Sequence, residues 1–291
     1  MHNDNRPRRS VLYMPGSNPR ALAKGREIGA DALIFDLEDA VAPDAKVGAR
    51  ASIIDALGAR GSYGRREIIV RTNGLDTEWG RDDLVSMARS GADAILLPKV
   101  ERGAMVDDAA TILGEAGAPD NLPIWCMMET PRGILHVEEI ADHPRVTCLV
   151  LGTSDLTKDM RSLHTPARLP MLPSLGLCLL AARASGIAVL DGVHLDLGDL
   201  EGHATSCRQG RELGFDGKTL IHPKQIEAAN KAFAPSAEDL AWSKKIITAW
   251  ETARSEGKGV VLVDGRLVEN LHITEARRLL ALGSAIEELQ A

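Results

Sequence analysis

Eight short apolar runs recur along this chain, and each but the last is followed by a longer stretch that is polar on one side. The runs cover residues 11–14, 32–37, 68–71, 94–97, 124–128, 148–151, 187–190 and 219–221. Several are nearly continuous in Val, Ile and Leu, the pattern of parallel strands covered on both faces. The stretches between them, such as residues 19–28, 45–57, 80–89 and 175–185, have helical spacing. Strand and helix alternating eight times predict an α/β fold, a (β/α)8 TIM barrel. A doubly wound sheet is the competing arrangement, but no GxGxxG follows the first run.

The pattern changes after the eighth run. Residues 224–231 predict a short closing helix, and residues 235–256 predict a long one with Ser236 as its N-cap. Gly257–Gly259 breaks it. Residues 260–263 and 266–268, joined by Asp264-Gly265, read as a hairpin with a type I′ turn. Residues 275–289 predict a last amphipathic helix. The expected division is a catalytic barrel over residues 1–232 and a C-terminal helical and hairpin extension over 233–291, a lid or an oligomerisation element.

Composition narrows the function. Of the 291 residues 44% are hydrophobic and only 3% aromatic, which suits aliphatic strands packed by Ala-rich helices. A net charge of −7 argues against nucleic acid, and no basic surface for anionic membranes is evident. The N-terminal residues are polar and basic, unlike a signal peptide, and no apolar run approaches a membrane span. The four cysteines lack metal-ligand spacing and suit a reducing, cytoplasmic setting.

Candidate chemistry lies where strands end, because barrel sites form at that face. The strand ends supply Asp36, Glu38 and Asp39 (second), Arg71 (third), Lys99 and Glu101 (fourth), Glu129 (fifth), Ser154 and Asp155 (sixth), Asp191 (seventh) and His222 (eighth). So many acids in one cleft would repel each other unless cations intervene. Glu129 and Asp155 are the expected metal ligands, and with no nearby His they favour Mg2+ over zinc or iron. Arg71 either grips a substrate carboxylate or ties two strands together through Asp36 or Glu38. Glu38 and Asp39 either hold metal-bound water or orient Arg71. Arg71, Asp36 and Lys99 form the expected substrate-binding set. An imine on Lys99 is disfavoured because a metal site makes it redundant. Asp191 is expected to shape the mouth, and His194 and His222 to be structural.

These residues carry a resemblance. The runs Arg9–Ser17, Phe35–Val41, Leu97–Glu101, Glu129–Gly133, Leu151–Leu156, Ile221–Pro223 and Val263–Glu269 resemble, in order, the citrate lyase β-subunit-like family of the HpcH/HpaI aldolase superfamily. The resemblance implies a magnesium barrel acting on an acyl-CoA thioester and a small 2-keto acid, assembled as a homotrimer or hexamer. It implies reversible carbon–carbon cleavage of a malyl-CoA, citramalyl-CoA or citryl-CoA type of substrate. It also implies that Glu269, where many relatives carry Asp, reaches a neighbour's site and joins Arg71, Glu38 and Asp39 as a catalytic residue. Thioester hydrolysis on the same scaffold, and a lyase subunit docking an acyl carrier, are the alternatives.

Overall fold

The computed structural model describes residues 6–290. The first five residues, on which part of the N-terminal reading rests, and Ala291 lie outside it. Two compact units result, Arg8–Phe233 and a second built from Ala234 onward. Among the described residues no helix is long and apolar enough to cross a membrane.

The first unit is a closed parallel barrel. Its strands are β1 Ser10–Pro15, β2 Ala32–Asp36, β3 Glu67–Arg71, β4 Ala94–Leu97, β5 Ile124–Met128, β6 Val146–Leu151, β7 Ala188–Asp191 and β8 Gly217–Leu220. All eight expected strands form, and β8 closes on β1 through Val11 opposite Thr219. The continuous apolar runs divide by the two-residue period of a strand. Val11, Ile34, Ile69, Leu96, Trp125, Met127, Val150 and Leu190 fill the interior. Their neighbours Leu12, Phe35, Val70, Leu97, Cys126, Leu151 and Val189 pack outward under the helices. At the N-terminal end Arg8 lies over the Trp125 ring at 5.1 Å and pairs with Glu67 at 2.6 Å, so that end of the barrel is filled.

Helix boundaries shift for local reasons. The helix expected over 19–28 spans only Pro19–Lys24. Gly25 follows it, where a Cβ would lie 2.8 Å from Leu33 Cδ1, so the chain turns against the barrel. The helix expected from 175 begins at Leu172, because Pro173 suits a first turn whose N–H groups have no partner.

In the second unit the helix Ala237–Ser255 carries the expected Ser236 cap, completed into a capping box by Asp239. β9 Val261–Val263 and β10 Arg266–Val268 form the hairpin. Asp264 (φ 49°) and Gly265 (φ 76°) are both left-handed, as a type I′ turn requires. The last helix, Asn270–Gln290, starts five residues before the expected 275. Ile273 and Ala276 join the core of Ile246, Trp250, Val263 and Val268, so its apolar face begins within the first turn.

Candidate functional site

Arg71 ends β3 facing inward and is buried. Its Nε and Nη2 each donate to an Asp36 oxygen at 2.7 Å, a bidentate pair between adjacent strand ends. Asp36 also accepts from the N–H groups of Glu38 at 2.9 Å and Ala40 at 3.0 Å. Burial pushes the Asp36 carboxyl up, but Arg71 and these donors outweigh it and hold it below its ordinary value. Asp36 is fully buried, with both oxygens engaged. It stands behind Arg71 and orients it.

The third guanidinium nitrogen, Nη1, faces the mouth. It lies 2.8 Å from Glu38 Oε2 and 3.6 Å from Asp39 Oδ2. The contact with Glu38 is an ion pair without hydrogen-bond alignment, so Oε2 has no hydrogen-bond donor. Burial raises the Glu38 pKa despite Arg71 and Lys99 beside it. The Asp39 side chain is 65% exposed and stays open to solvent.

Glu129 follows β5. Thr130, the next residue, caps the helix Pro131–Leu135 by accepting from Gly133 N–H, so Glu129 is not itself spent as a cap. Its Oε1 accepts the main-chain N–H of Lys99 at 2.8 Å. Its Oε2 faces Gly152, the residue after β6, where any Cβ would clash with the Glu129 Cβ and Oε2. The glycine of the Leu151–Asp155 run is therefore room made for Glu129. Asp155 lies in the first turn of the helix Thr153–Asp159, one third exposed. Burial and the nearby Glu38 carboxylate raise Glu129 to about 7, against the pull of Lys99 and Arg71.

Lys99 joins these groups. Its left-handed backbone (φ 51°) turns the N–H to Glu129. Its Nζ bonds Glu38 Oε1 at 2.8 Å and lies 3.8 Å from Asp155 Oδ2. Burial pulls the ammonium down, but the Glu38 bond and the fields of Glu38, Glu129 and Asp39 outweigh it and raise its pKa. A lysine held protonated is a poor imine nucleophile.

Of the expected residues, Arg71, Glu38, Asp39, Lys99, Glu129 and Asp155 come together, with Asp36 behind them. Glu269 stands in the second unit, between β10 and the last helix, and its N–H bonds His272 Nδ1 at 3.2 Å. Asp191 does not shape the mouth. It is fully buried on the outward face of β7, bonded to Arg168 at 2.7 Å and to buried Lys218 at 2.8 Å. His222 is half-buried and caps the turn that follows it by accepting from Lys224 N–H. Two contributors were not singled out from the sequence. Buried Lys46 donates to the carbonyls of Leu37 (2.9 Å) and Glu38 (3.0 Å) and to Asn73 Oδ1 (2.7 Å), clamping the loop that presents Glu38. Tyr13, inward on β1, lies under the Arg71 guanidinium at 4.7 Å.

The donor set fits a hard divalent cation. Glu129 and Asp155 offer oxygen only, one residue touches both, and Glu129 Oε2 faces space that only a glycine leaves open. No group of three or more His, Cys, Asp or Glu side chains suited to a metal occurs among the described residues. Two protein carboxylates would leave most of an octahedron to water or substrate oxygens.

The chain is similar to known proteins over nearly its whole length. The family model described as HpcH/HpaI aldolase/citrate lyase matches residues 9–223. A (3S)-malyl-CoA thioesterase of Cereibacter sphaeroides is 52% identical over 285 residues, 98% of each chain. Citrate lyase subunit beta of Leuconostoc mesenteroides is 36% identical over 289 residues, 97% of this chain and 95% of that one. Among solved structures, CitE from Mycobacterium tuberculosis in complex with magnesium, acetoacetate and coenzyme A superposes with a TM-score of 0.74 at 30% identity. It covers 94% of this chain and 97% of that one.

Proposed function

Because the chain belongs to the HpcH/HpaI aldolase/citrate lyase family, we propose that it is a magnesium-dependent hydrolase of a malyl-type coenzyme A thioester. The observation that carries this is the pairing of an acid-binding arginine with two cation-ready carboxylates at one barrel mouth. The thioesterase relatives, at 52% identity, favour hydrolysis.

Arg71 would bind the free carboxylate of the acyl group, pre-oriented by Asp36. Glu129 and Asp155 would hold magnesium, which supplies Lewis-acid polarisation of a substrate oxygen. Water adds to the thioester carbonyl carbon, the C–S bond breaks, and the water's proton passes to the departing thiolate. Glu38 and Asp39 are the acids placed to carry that proton, with Lys99 balancing their charge. Glu269 would act from a neighbouring copy, in a trimer or hexamer.

Carbon–carbon cleavage to an acyl-CoA and a 2-keto acid is the second reading, favoured by 36% identity with citrate lyase beta subunits. One assay separates them. Purified protein with magnesium and malyl-CoA should release free CoA thiol and malate. Glyoxylate and acetyl-CoA appearing instead would establish cleavage, and no turnover of malyl-, citramalyl- or citryl-CoA would reject both readings.

A further inference from the structure

Asn73, two residues beyond Arg71 at the end of β3, is buried with both polar atoms of its amide engaged. Its Nδ2 donates to Leu37 O at 2.9 Å and to Asp83 Oδ2 at 2.6 Å, and its Oδ1 accepts from Lys46 Nζ at 2.7 Å. Its main-chain N–H also donates to Asp83 Oδ2, at 2.9 Å. Asp83 lies on the helix Gly80–Met87, fully buried, and its other oxygen accepts from Arg50 Nε at 2.5 Å. Lys46 and Arg50 stand one turn apart on the helix Lys46–Gly58, so one helix face holds both the amide and the acid.

A buried set of charges adds little stability over an apolar filling of the same volume. What this set supplies is position, and what it positions is the turn after β2. Leu37 N–H donates to Arg71 O at 2.9 Å, while Leu37 O accepts from both Asn73 and Lys46. Glu38 N–H donates to Asp36 at 2.9 Å, while Glu38 O accepts from Lys46 at 3.0 Å. Both peptide groups that flank the Glu38 Cα are pinned, and Asn73 ties them by its side chain to the segment that carries Arg71.

The pinned turn accounts for the misaligned contact at the mouth. Glu38 Oε2 is 2.8 Å from Arg71 Nη1 yet accepts no hydrogen bond. A carboxylate free to shift would turn and close the aligned, charge-assisted bond, which is the stronger arrangement. Nη1 would then be spent on Glu38.

We propose that Asn73 is a positioning residue of the site: held by Asp83, it keeps the turn after β2 where Glu38 stands beside Arg71 Nη1 without closing on it, so that Nη1 stays open to the acyl group's free carboxylate. The inference rests on the proposed reading that Arg71 binds that carboxylate. It deepens that reading by naming what keeps the guanidinium available.

The test is calorimetric binding of malate to the full-length protein with saturating magnesium. It compares the parent with Asn73→Ala, Glu38→Gln and the variant carrying both, alongside magnesium binding alone. Asn73→Ala should weaken malate about tenfold, the scale of one hydrogen bond to a charged group, with magnesium affinity unchanged. Its steady-state effect on malyl-CoA should fall mainly on KM. In the Glu38→Gln background the same substitution should change malate affinity by less than about twofold, because the neutral amide competes weakly for Nη1. Parental malate affinity and KM in Asn73→Ala, with stability alone lowered, would make the network purely structural and overturn the proposal. An equal loss of malate in both backgrounds would overturn it too, since Glu38 would not be the competitor. Asp83→Asn loosens Asn73 without removing it and should weaken malate in the same direction by a smaller factor. If Asn73→Ala does not fold, parental binding in Asp83→Asn is the overturning result. A parent that binds magnesium but no malate, with no turnover of malyl-, citramalyl- or citryl-CoA, would reject the proposed function and this inference with it. A parent that turns over malyl-CoA while Asn73→Ala leaves KM unmoved would remove the inference alone.

Discussion

Arg71 and Asp36 stand side by side in register at the ends of β3 and β2 and share two parallel hydrogen bonds of 2.7 Å. The strand tie, one of the two roles open to Arg71, is present, and it fixes the guanidinium with Nη1 beside Glu38 and Asp39. Asp36→Asn would leave a buried guanidinium without its counter-charge. The protein should lose about 3 kcal/mol of stability, the usual cost of breaking a buried pair from one side. Urea unfolding measures this, and KM for malyl-CoA should rise in the folded protein. Unchanged stability would mean that Glu38 alone balances Arg71.

Magnesium should stabilise the protein more at pH 8 than at pH 6. Burial lifts Glu129 from 4.5 to about 7 in the metal-free fold, so the folded state holds that proton more tightly than the unfolded chain. Metal-free stability therefore falls as pH rises from about 4.5 through 7, and the ionised carboxylate above 7 bears an uncompensated burial cost. A cation offsets that cost and below pH 7 must first displace the proton. The melting-temperature gain at fixed magnesium should grow between pH 6 and pH 8 and vanish in Glu129→Gln. Equal gains at both pH values in the parent would contradict the assignment of Glu129 as a ligand.

Lys46 should matter although it faces no acid directly. Its ammonium satisfies three acceptors, and its Nζ lies 5.0 Å from the Trp79 ring. Lys46→Met preserves the stem and strands those acceptors, at about 1–3 kcal/mol by unfolding. The mechanism predicts a fall in kcat as well, because the clamped carbonyls precede and include Glu38. Full kcat with lowered stability would make Lys46 purely structural.

The ring of eight strands was legible because each run is too apolar to lie anywhere but between two covering layers. Glu129 and Asp155 were legible because an acid ending such a run demands a partner. Side-chain direction was not. A four-residue strand such as Ala188–Asp191 does not reveal its parity, and Asp191 turned outward to Lys218 and Arg168 instead of toward the mouth. Lys46 was hidden because its partners include main-chain carbonyls, which leave no signature in the sequence. Tyr13 read as one more residue of a core strand, since its meaning depends on Arg71 58 positions later meeting it across the barrel.

The Asp191 cluster offers a control that separates stability from chemistry. Burial raises the Asp191 carboxyl, but Lys218 and Arg168 outweigh it and hold it below its ordinary value. Its contribution is thus complete above about pH 4 and is lost as pH falls further toward the folded value. Asp191→Asn should cost about 3–5 kcal/mol at pH 7 by leaving fully buried Lys218 without its anion. The acid-unfolding midpoint should lose sensitivity in the same range. Per folded molecule kcat should stay at the parent's value, since the cluster lies outside the barrel interior. A changed kcat in folded Asp191→Asn would connect the cluster to the site.

Lys99 gives the sharpest test of the chemistry class. An imine-forming lysine is indispensable, whereas a lysine that balances Glu38 and reaches Asp155 contributes electrostatically. Lys99→Gln retains a donor for Glu38 and the main-chain N–H that Glu129 accepts, and removes only the positive charge. Turnover should drop about tenfold or more, the scale of one charge-assisted hydrogen bond, and remain measurable. Magnesium should bind at least as tightly as in the parent, because the ammonium 3.8 Å from Asp155 Oδ2 opposes a cation held there. Borohydride added to the parent with pyruvate should leave the protein mass unchanged. A trapped adduct on Lys99, together with complete loss of turnover in Lys99→Gln, would replace the magnesium scheme with imine catalysis.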